Sequence, residues 1–245
     1  MAGIKRKTVL ITGATSDIGA KTAIRFAEAG WNIICHYCST DKKASKLKKI
    51  IKRYDIEPCF LKADFTSKKQ ISTFINKLGK FNIDSLINNA GTYVSSKHFS
   101  KLDISHMSKT FMVNMFTPAL LTSRIFVSMK QRMFGRIVNI SSIAAKYGGS
   151  AYSMHYGCSK LALEGLTRTF AKEGARHNVL VNTIRPGVIN TEFHKKFPKD
   201  MKKRVKMIPV GRMGKPEEVA DAIYYLGSEN NNFITNEVVT VAGGE

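Results

Sequence analysis

Short apolar, β-branched runs alternate along the chain with longer stretches in which apolar residues recur at helical spacing. The runs at 8–12, 32–38, 58–62, 85–88, 136–141, 180–185 and 238–241 predict strands, and the segments near 17–29, 41–53, 67–78, 103–130, 156–177 and 216–227 predict amphipathic helices. Strands such as Thr8-Val9-Leu10-Ile11 are continuously apolar, the pattern of a strand buried on both faces. Repeated right-handed strand–helix–strand crossovers then give an α/β, doubly wound parallel sheet of about seven strands, with helices on both faces. No Pro/Gly/Ser-rich linker, low-complexity tract or fixed-period repeat interrupts the series, so one domain over 1–245 is expected.

A chain of 245 residues that is 43% apolar can fill a sizeable core, which excludes disorder. The basic start lacks the apolar stretch of a signal peptide, and no run of about 18 apolar residues appears. The expectation is a cytoplasmic protein without a membrane segment. The four cysteines include a CxxC at Cys35 and Cys38, but it lies inside a predicted strand and has no second pair, so buried, reduced thiols and no metal are expected. Lys plus Arg number 39 against 18 Asp plus Glu, a formal net charge of +21. That attracts anions of many kinds, from nucleic acid to a phosphorylated cofactor or an acidic carrier protein, and it also fits a merely solvated basic surface. The irregular stretch 191–209, with seven Lys/Arg against Glu192 and Asp200, is expected to be a mobile cationic lid over a substrate.

Thr12-Gly13-Ala14-Thr15-Ser16-Asp17-Ile18-Gly19 joins the first strand to the first helix, where a dinucleotide's pyrophosphate meets backbone N–H groups and the positive helix end. Gly13 can make the tight turn, Gly19 allows close packing, and Thr15 and Ser16 offer hydroxyls, with Ile18 alongside. The segment resembles the TGxxxGxG fingerprint of the short-chain dehydrogenases/reductases, a Rossmann-type family, with Asp17 in place of the usual middle glycine. An Asp there is expected to cap the helix, pair with Lys21 and face outward.

The resemblance extends along the chain and implies further roles. Asn89-Ala90-Gly91 is similar to the family element that runs beside the cofactor's ribose, and Asp64-Phe65 to its adenine-contacting pair. At the end of the second strand, His36-Tyr37-Cys38-Ser39-Thr40 has no acid to hold the ribose hydroxyls of NAD, and Lys42 and Lys43 follow. Tyr37 is placed at the cofactor, and NADPH is the expected cofactor, with NADH use left open because the usual arginine is also missing. Pro186-Gly187-Val188-Ile189-Asn190-Thr191 resembles the PGxxxT segment, which implies nicotinamide and diphosphate contacts for Pro186, Gly187, Ile189 and Thr191.

Carbonyl reduction needs a proton donor, a second donor to polarise the carbonyl and a held cofactor. Tyr156 and Lys160 share one helical face, so an ammonium could lower the phenol's pKa, and both also belong to the cofactor set. Tyr93 and Lys97 repeat the spacing without the neighbouring Asn139-Ile140-Ser141-Ser142, which resembles the family's serine element. Ser142 is the expected polarising hydroxyl, with Ser141 as the alternative. Asn114 matches the helical asparagine that in the family holds a water linking Lys160 to solvent.

The resemblance is closest to the single-domain branch that includes the 3-oxoacyl-acyl-carrier-protein reductases, which implies a homotetramer. The expected substrate is a 3-oxoacyl thioester on an acidic carrier or coenzyme A, with Arg132 or Arg176 as docking residues. The alternative is another small carbonyl: a sugar, quinone, steroid-like or xenobiotic ketone. From a different class stands a binding module for RNA or membrane phosphate, but no RNA-binding motif is evident and nucleic acid is not an expected partner.

Overall fold

The computed structural model describes residues 6–94, 97–195 and 200–245. Seven strands form one sheet in the order β3-β2-β1-β4-β5-β6-β7: β1 Thr8–Ile11, β2 Asn32–Tyr37, β3 Cys59–Lys62, β4 Ser85–Asn88, β5 Gly135–Ile140, β6 Val179–Pro186 and β7 Val238–Val241. Every neighbouring pair is parallel. The helices are α1 Asp17–Glu28, α2 Asp41–Ile51, α3 Lys68–Leu78, α4 Ile104–Phe111, α5 Thr117–Gln131, α6 Ile143–Tyr147, α7 Met154–Gly174, α8 Glu192–Lys195, α9 Met201–Lys206 and α10 Pro216–Gly227.

The continuous apolarity of the strands has the expected cause. Val9 and Ile11 pack beneath Phe26 of α1, Leu47 of α2 and Ile223 of α10. Leu10, one residue out of phase, packs beneath Phe74 of α3, Leu121 of α5 and Ala171 of α7. Both faces of each central strand are therefore covered, which places the loops, and with them the functional groups, at the strand ends. The order reverses between β1 and β4, so the loops after these two strands diverge and leave a crevice.

The segment predicted as one helix near 103–130 is two α-helices joined by a π-helical turn, Met112–Phe116. The combined stretch Ile104–Gln131 is long and apolar enough, by length and composition alone, to cross a membrane. Half of its most apolar window is buried, with Leu121, Ile125, Phe126 and Met129 in the core. A short helix, α6, lies where no element was expected. Of the cysteines only Cys35 is buried; Cys38 and Cys158 are exposed, because one follows the last residue of β2 and the other points off the outer face of α7. All four thiols are free, and no cluster suited to a metal occurs among the described residues. Residues 196–199 of the basic stretch 191–209, including Lys196 and Lys199, lie outside the described residues.

A chain of buried amides and hydroxyls ties the sheet together just below the crevice. Asn88 Nδ2 of β4 donates to Asn139 Oδ1 of β5 (2.8 Å) and to Thr122 Oγ1 (3.1 Å), and Asn139 Nδ2 donates to Thr167 Oγ1 of α7 (2.9 Å), which meets Thr183 Oγ1 of β6 (2.7 Å). Replacing Asn139 with Ala takes one buried partner each from the Asn88 amide and the Thr167 hydroxyl, which keep only Thr122 and Thr183. The expected loss is about 2–4 kcal/mol of unfolding free energy, read from urea denaturation.

Candidate active site

The loops after β1, β2, β3, β4, β5 and β6 form a cleft of about 570 Å³. It is lined by Gly13, Thr15, Ser16 and Ile18, by Asp64 and Phe65, by Asn89 to Gly91, by Ser142, Tyr156 and Lys160, and by Pro186, Gly187, Ile189 and Thr191. Most of the residues expected from sequence are thus brought to one place.

The first turn is built by hydrogen bonds that bridge loops distant in sequence. Gly13 has φ +64°, and a Cβ there would meet the Ala90 Cα at 2.9 Å, so only glycine fits. Asn89 Nδ2 donates to the carbonyls of Thr12 (2.8 Å) and Gly13 (3.0 Å), and the Ala90 N–H donates to Thr12 Oγ1 (3.0 Å). Ser16 caps α1, its Oγ accepting from the Gly19 N–H at 3.2 Å. The expectation for Asp17 is corrected here. Asp17 is the first residue of α1 and not its cap, Lys21 pairs with Glu217 at 2.8 Å, and the Asp17 carboxylate lines the cleft. Lys21 lies a turn further along the helix, where the acidic start of α10 approaches it.

His36 holds the turn from β2. Its Nδ1 accepts the Gly13 N–H (3.1 Å) and its Nε2 reaches the Ala63 carbonyl (3.0 Å), which fixes a neutral ring with the proton on Nε2. The ring stacks on Phe65, centroids 3.8 Å apart and planes 2° from parallel. Burial drives its pKa down to about 4. Tyr37, expected at the cofactor, is turned away, because alternate residues of a strand point to opposite faces. Its hydroxyl donates to Asp41 (2.9 Å), which also receives Lys62 Nζ (2.7 Å). His36, Cys38, Ser39, Thr40 and Lys43 line the cleft in its place. Strand alternation carried this signal in the sequence. Asp64 accepts from the N–H and hydroxyl of Thr66, both at 2.8 Å, which holds its carboxylate in place.

On the other side, Ser142 precedes α6 and caps it, while Ser141 is buried and donates to Glu164 Oε1 (2.6 Å). Glu164 is further held by Arg185 at 3.0 and 2.7 Å, and it raises the pKa of that arginine. Ser141 is therefore committed to a buried ion pair, while Ser142 lines the cleft together with Tyr156. The Glu164–Arg185 pair was not foreseen, since nothing in its spacing marks two residues of α7 and β6 as partners.

Tyr156 departs from the expected lowering of its pKa. Desolvation pushes the phenol above its ordinary value, opposed by the hydrogen bond with Ser142. Lys160 Nζ donates to the Ile140 carbonyl (2.7 Å) and lies 5.9 Å from the centre of the Tyr156 ring. Burial lowers the Lys160 pKa to about 8. A Cβ on Gly91 would sit 3.1 Å from this ammonium, so glycine here leaves the lysine its room.

Asn114, fully buried, belongs to the π-helical turn. Its Oδ1 accepts the Thr92 N–H (2.8 Å), and its Nδ2 donates to the Thr92 carbonyl (2.9 Å) and to Ser159 Oγ (2.9 Å). Tyr93 and Phe193 flank the Tyr156 ring, with centroids at 5.8 and 5.9 Å. Neither aromatic was singled out from the sequence for the cleft. Tyr93 matched the Tyr-x-x-x-Lys spacing, yet its hydroxyl is bonded to the Tyr152 carbonyl.

Comparison with known proteins agrees with this arrangement. The family model described as enoyl-(acyl carrier protein) reductase matches residues 13–245. A 3-oxoacyl-acyl-carrier-protein reductase of Aquifex aeolicus (strain VF5) is 33% identical, with 98% of each chain covered. The chain belongs to the short-chain dehydrogenase/reductase family. It is accordingly an NAD(P)-dependent oxidoreductase acting on alcohol and carbonyl groups. Within the family the similarity is broad. An L-rhamnose 1-dehydrogenase (NADP(+)) of Thermoplasma acidophilum is 31% identical, covering 100% of this chain and 98% of its own. The crystal structure of a Beutenbergia cavernae protein described as an NAD(P)-dependent gluconate 5-dehydrogenase, with NADP bound at low occupancy, superposes with TM-score 0.90 at 26% identity, covering 97% of this chain and 96% of that one.

Two titrations follow from burial. The His36 pKa lies near 4 in the fold and 6.5 as the ordinary value, so the unfolded chain binds the extra proton first and stability falls as pH drops from 6.5 towards 4. The loss at this group is about 2–3 kcal/mol, and His36→Phe should flatten the pH dependence of the urea midpoint in that window. Lys160, near 8 against 10.5, also holds its proton more weakly when folded, so its burial costs stability below pH 8 and the cost is relieved between 8 and 10.5. The parent's urea midpoint should therefore rise between pH 8 and 10.5, and that rise should be absent from Lys160→Met.

Proposed function

We propose that the protein is an NADPH-dependent carbonyl reductase in which Tyr156 is the proton donor, Ser142 polarises the carbonyl, and Lys160 and Asn114 complete the catalytic group. The observation that carries this reading is the convergence of Tyr156, Ser142 and Lys160 at the end of a cleft whose other end is the Gly13–Gly19 turn. That turn suits a dinucleotide: Gly13 takes the left-handed conformation that lets the chain turn tightly against Ala90, and the N-terminus of α1 faces the cleft.

A bound nicotinamide nucleotide would supply the hydride. The protein's own part is to orient and to move protons. Ser142 donates to the carbonyl oxygen, drawing charge onto it, and the Tyr156 phenol gives that oxygen its proton. A phenol kept protonated by desolvation is in the right state for this direction of reaction. Lys160, with a pKa near 8, holds positive charge beneath the phenol at neutral pH and can exchange its proton there. Asn114, bonded at both ends, acts by fixing the Thr92 backbone beside Gly91 and Lys160 rather than through a free amide.

Preference for NADPH is supported at the end of β2. Ser39, Thr40 and Lys43 line the cleft, and Asp41, the acid that follows Thr40 in sequence, is paired with Lys62. No carboxylate of β2 is left to repel a 2′-phosphate.

The substrate we infer is a 3-oxoacyl thioester on coenzyme A or an acidic carrier protein. The similarity to a 3-oxoacyl-acyl-carrier-protein reductase and the net charge of +21 support it. Of the two docking candidates, Arg132 is engaged with Asp84 and the Ile83 carbonyl, which leaves Arg176. The second reading, a sugar dehydrogenase, is favoured by the similarity to the rhamnose and gluconate enzymes. Exposed Ile104, Phe116, Leu120 and Val127 along α4, the π-helical turn and α5 support subunit contacts, in keeping with a homotetramer.

NADPH oxidation followed with acetoacetyl-coenzyme A and longer 3-oxoacyl thioesters tests the reading. Turnover is expected, and Tyr156→Phe should lose about 10²–10⁴-fold in kcat with NADPH binding retained. Silence with every chain length, together with NADP+-dependent oxidation of L-rhamnose or gluconate, would hand the site to the sugar reading.

A further inference from the structure

Asp17 places a carboxylate where an anionic cofactor has to sit. It is the first residue of α1, and it lines the cleft together with Gly13, Thr15, Ser16 and Ile18. The free N–H groups and dipole of that helix end favour one anion there, and a diphosphate brings its own charge to the same place. A second observation gives the carboxylate a task. Asp17 Oδ2 accepts the backbone N–H of Glu192 at 2.7 Å, across 175 residues of sequence, and Glu192 opens α8 directly after Thr191. Thr191, Glu192 and Phe193 line the cleft from the opposite wall, and Phe193 packs 5.9 Å from the Tyr156 ring. One hydrogen bond therefore joins the phosphate-binding turn to the segment that covers the reacting end.

We propose that Asp17 is an internal stand-in for the cofactor's phosphate: a latch that holds the 191–194 segment against the turn in the nucleotide-free protein and that NADPH must open to enter. The two anions cannot share the site without repulsion, so the carboxylate leaves as the diphosphate arrives, and the Glu192 N–H is released at that moment. Asp17 is a positioning residue, which sets the rate of nucleotide entry and exit rather than the chemistry of reduction. The fold does not need it as a cap, because Ser16 already caps α1. The proposal rests on nucleotide binding in this cleft and is independent of the carbonyl substrate.

Three variants of the full chain separate the latch from the charge. Asp17→Gly and Asp17→Ser remove the carboxylate, while Asp17→Asn keeps an acceptor oxygen without the charge. In nucleotide-free protein, hydrogen exchange at the Glu192 amide should accelerate roughly tenfold or more in Asp17→Gly and Asp17→Ser, the scale of a lost bond to a charged acceptor, and less in Asp17→Asn. Stopped-flow nicotinamide fluorescence should show NADPH associating several-fold faster in Asp17→Gly and Asp17→Ser, with a lower Kd in all three variants. Thermal melts establish that each variant is folded. An unchanged Glu192 exchange rate in Asp17→Gly and Asp17→Ser overturns the latch. Exchange that rises with no change in NADPH association overturns its role in nucleotide entry. Neither result touches the assignment of the substrate, which is read from turnover.

Discussion

The whole structure depends on a sheet that must be covered on both faces. A strand with helices above and below has no solvent-facing side on which to carry polar chemistry, so function is confined to the strand ends. Here the registers of β1, β4 and β5 bring Ile11, Ile87 and Val138 into line across three neighbouring strands. The polar groups that follow, Thr12, Asn89 and Ser142, then fall along one edge. The reversal of strand order beside β1 turns that edge into a cleft. The amide chain from Asn88 through Asn139 to Thr183 runs just beneath it, where buried polar groups fix one relative position of three strands.

Dryness is the second theme of the site. Lys160, His36 and Tyr156 all have shifted proton affinities, and in each case the leading cause is loss of water rather than a neighbouring charge. The shifts point to one outcome at neutral pH: an imidazole that can only accept at Nδ1, a phenol that keeps its proton, and an ammonium close to its point of exchange. The charged pair nearest the site, Glu164 with Arg185, is buried behind Ser141. It stiffens the wall and occupies the Ser141 hydroxyl.

The architecture was legible because periodicity reports burial, and burial is what a doubly wound sheet imposes. The apolar runs located all seven strands, and the ordered motifs located the cleft. What stayed hidden was of another kind. Tyr37 and His36 are adjacent in sequence and point to opposite faces, so a motif that places the strand end does not say which of them meets the cleft. The fates of Asp17 and Lys21 were set by α8 and α10, elements whose approach no local pattern announces. The partnership of Glu164 with Arg185 likewise arises only when α7 has folded onto β6. The pKa of Tyr156 was misjudged because helical spacing shows that two side chains share a face, not what else the lysine bonds to.

The π-helical turn at Met112–Phe116 carries a consequence for how such a chain can change length. An α-helix advances about 100° per residue, so the wide turn amounts to a phase shift between α4 and α5. It lets Asn114 face Thr92 while Leu121, Ile125 and Met129 still face the sheet. Removing one residue there would straighten the helix and carry either the asparagine or the core stripe out of alignment. Tolerance to insertion and deletion should therefore be lowest in the middle of this long helix, where secondary structure alone would suggest a uniform rod.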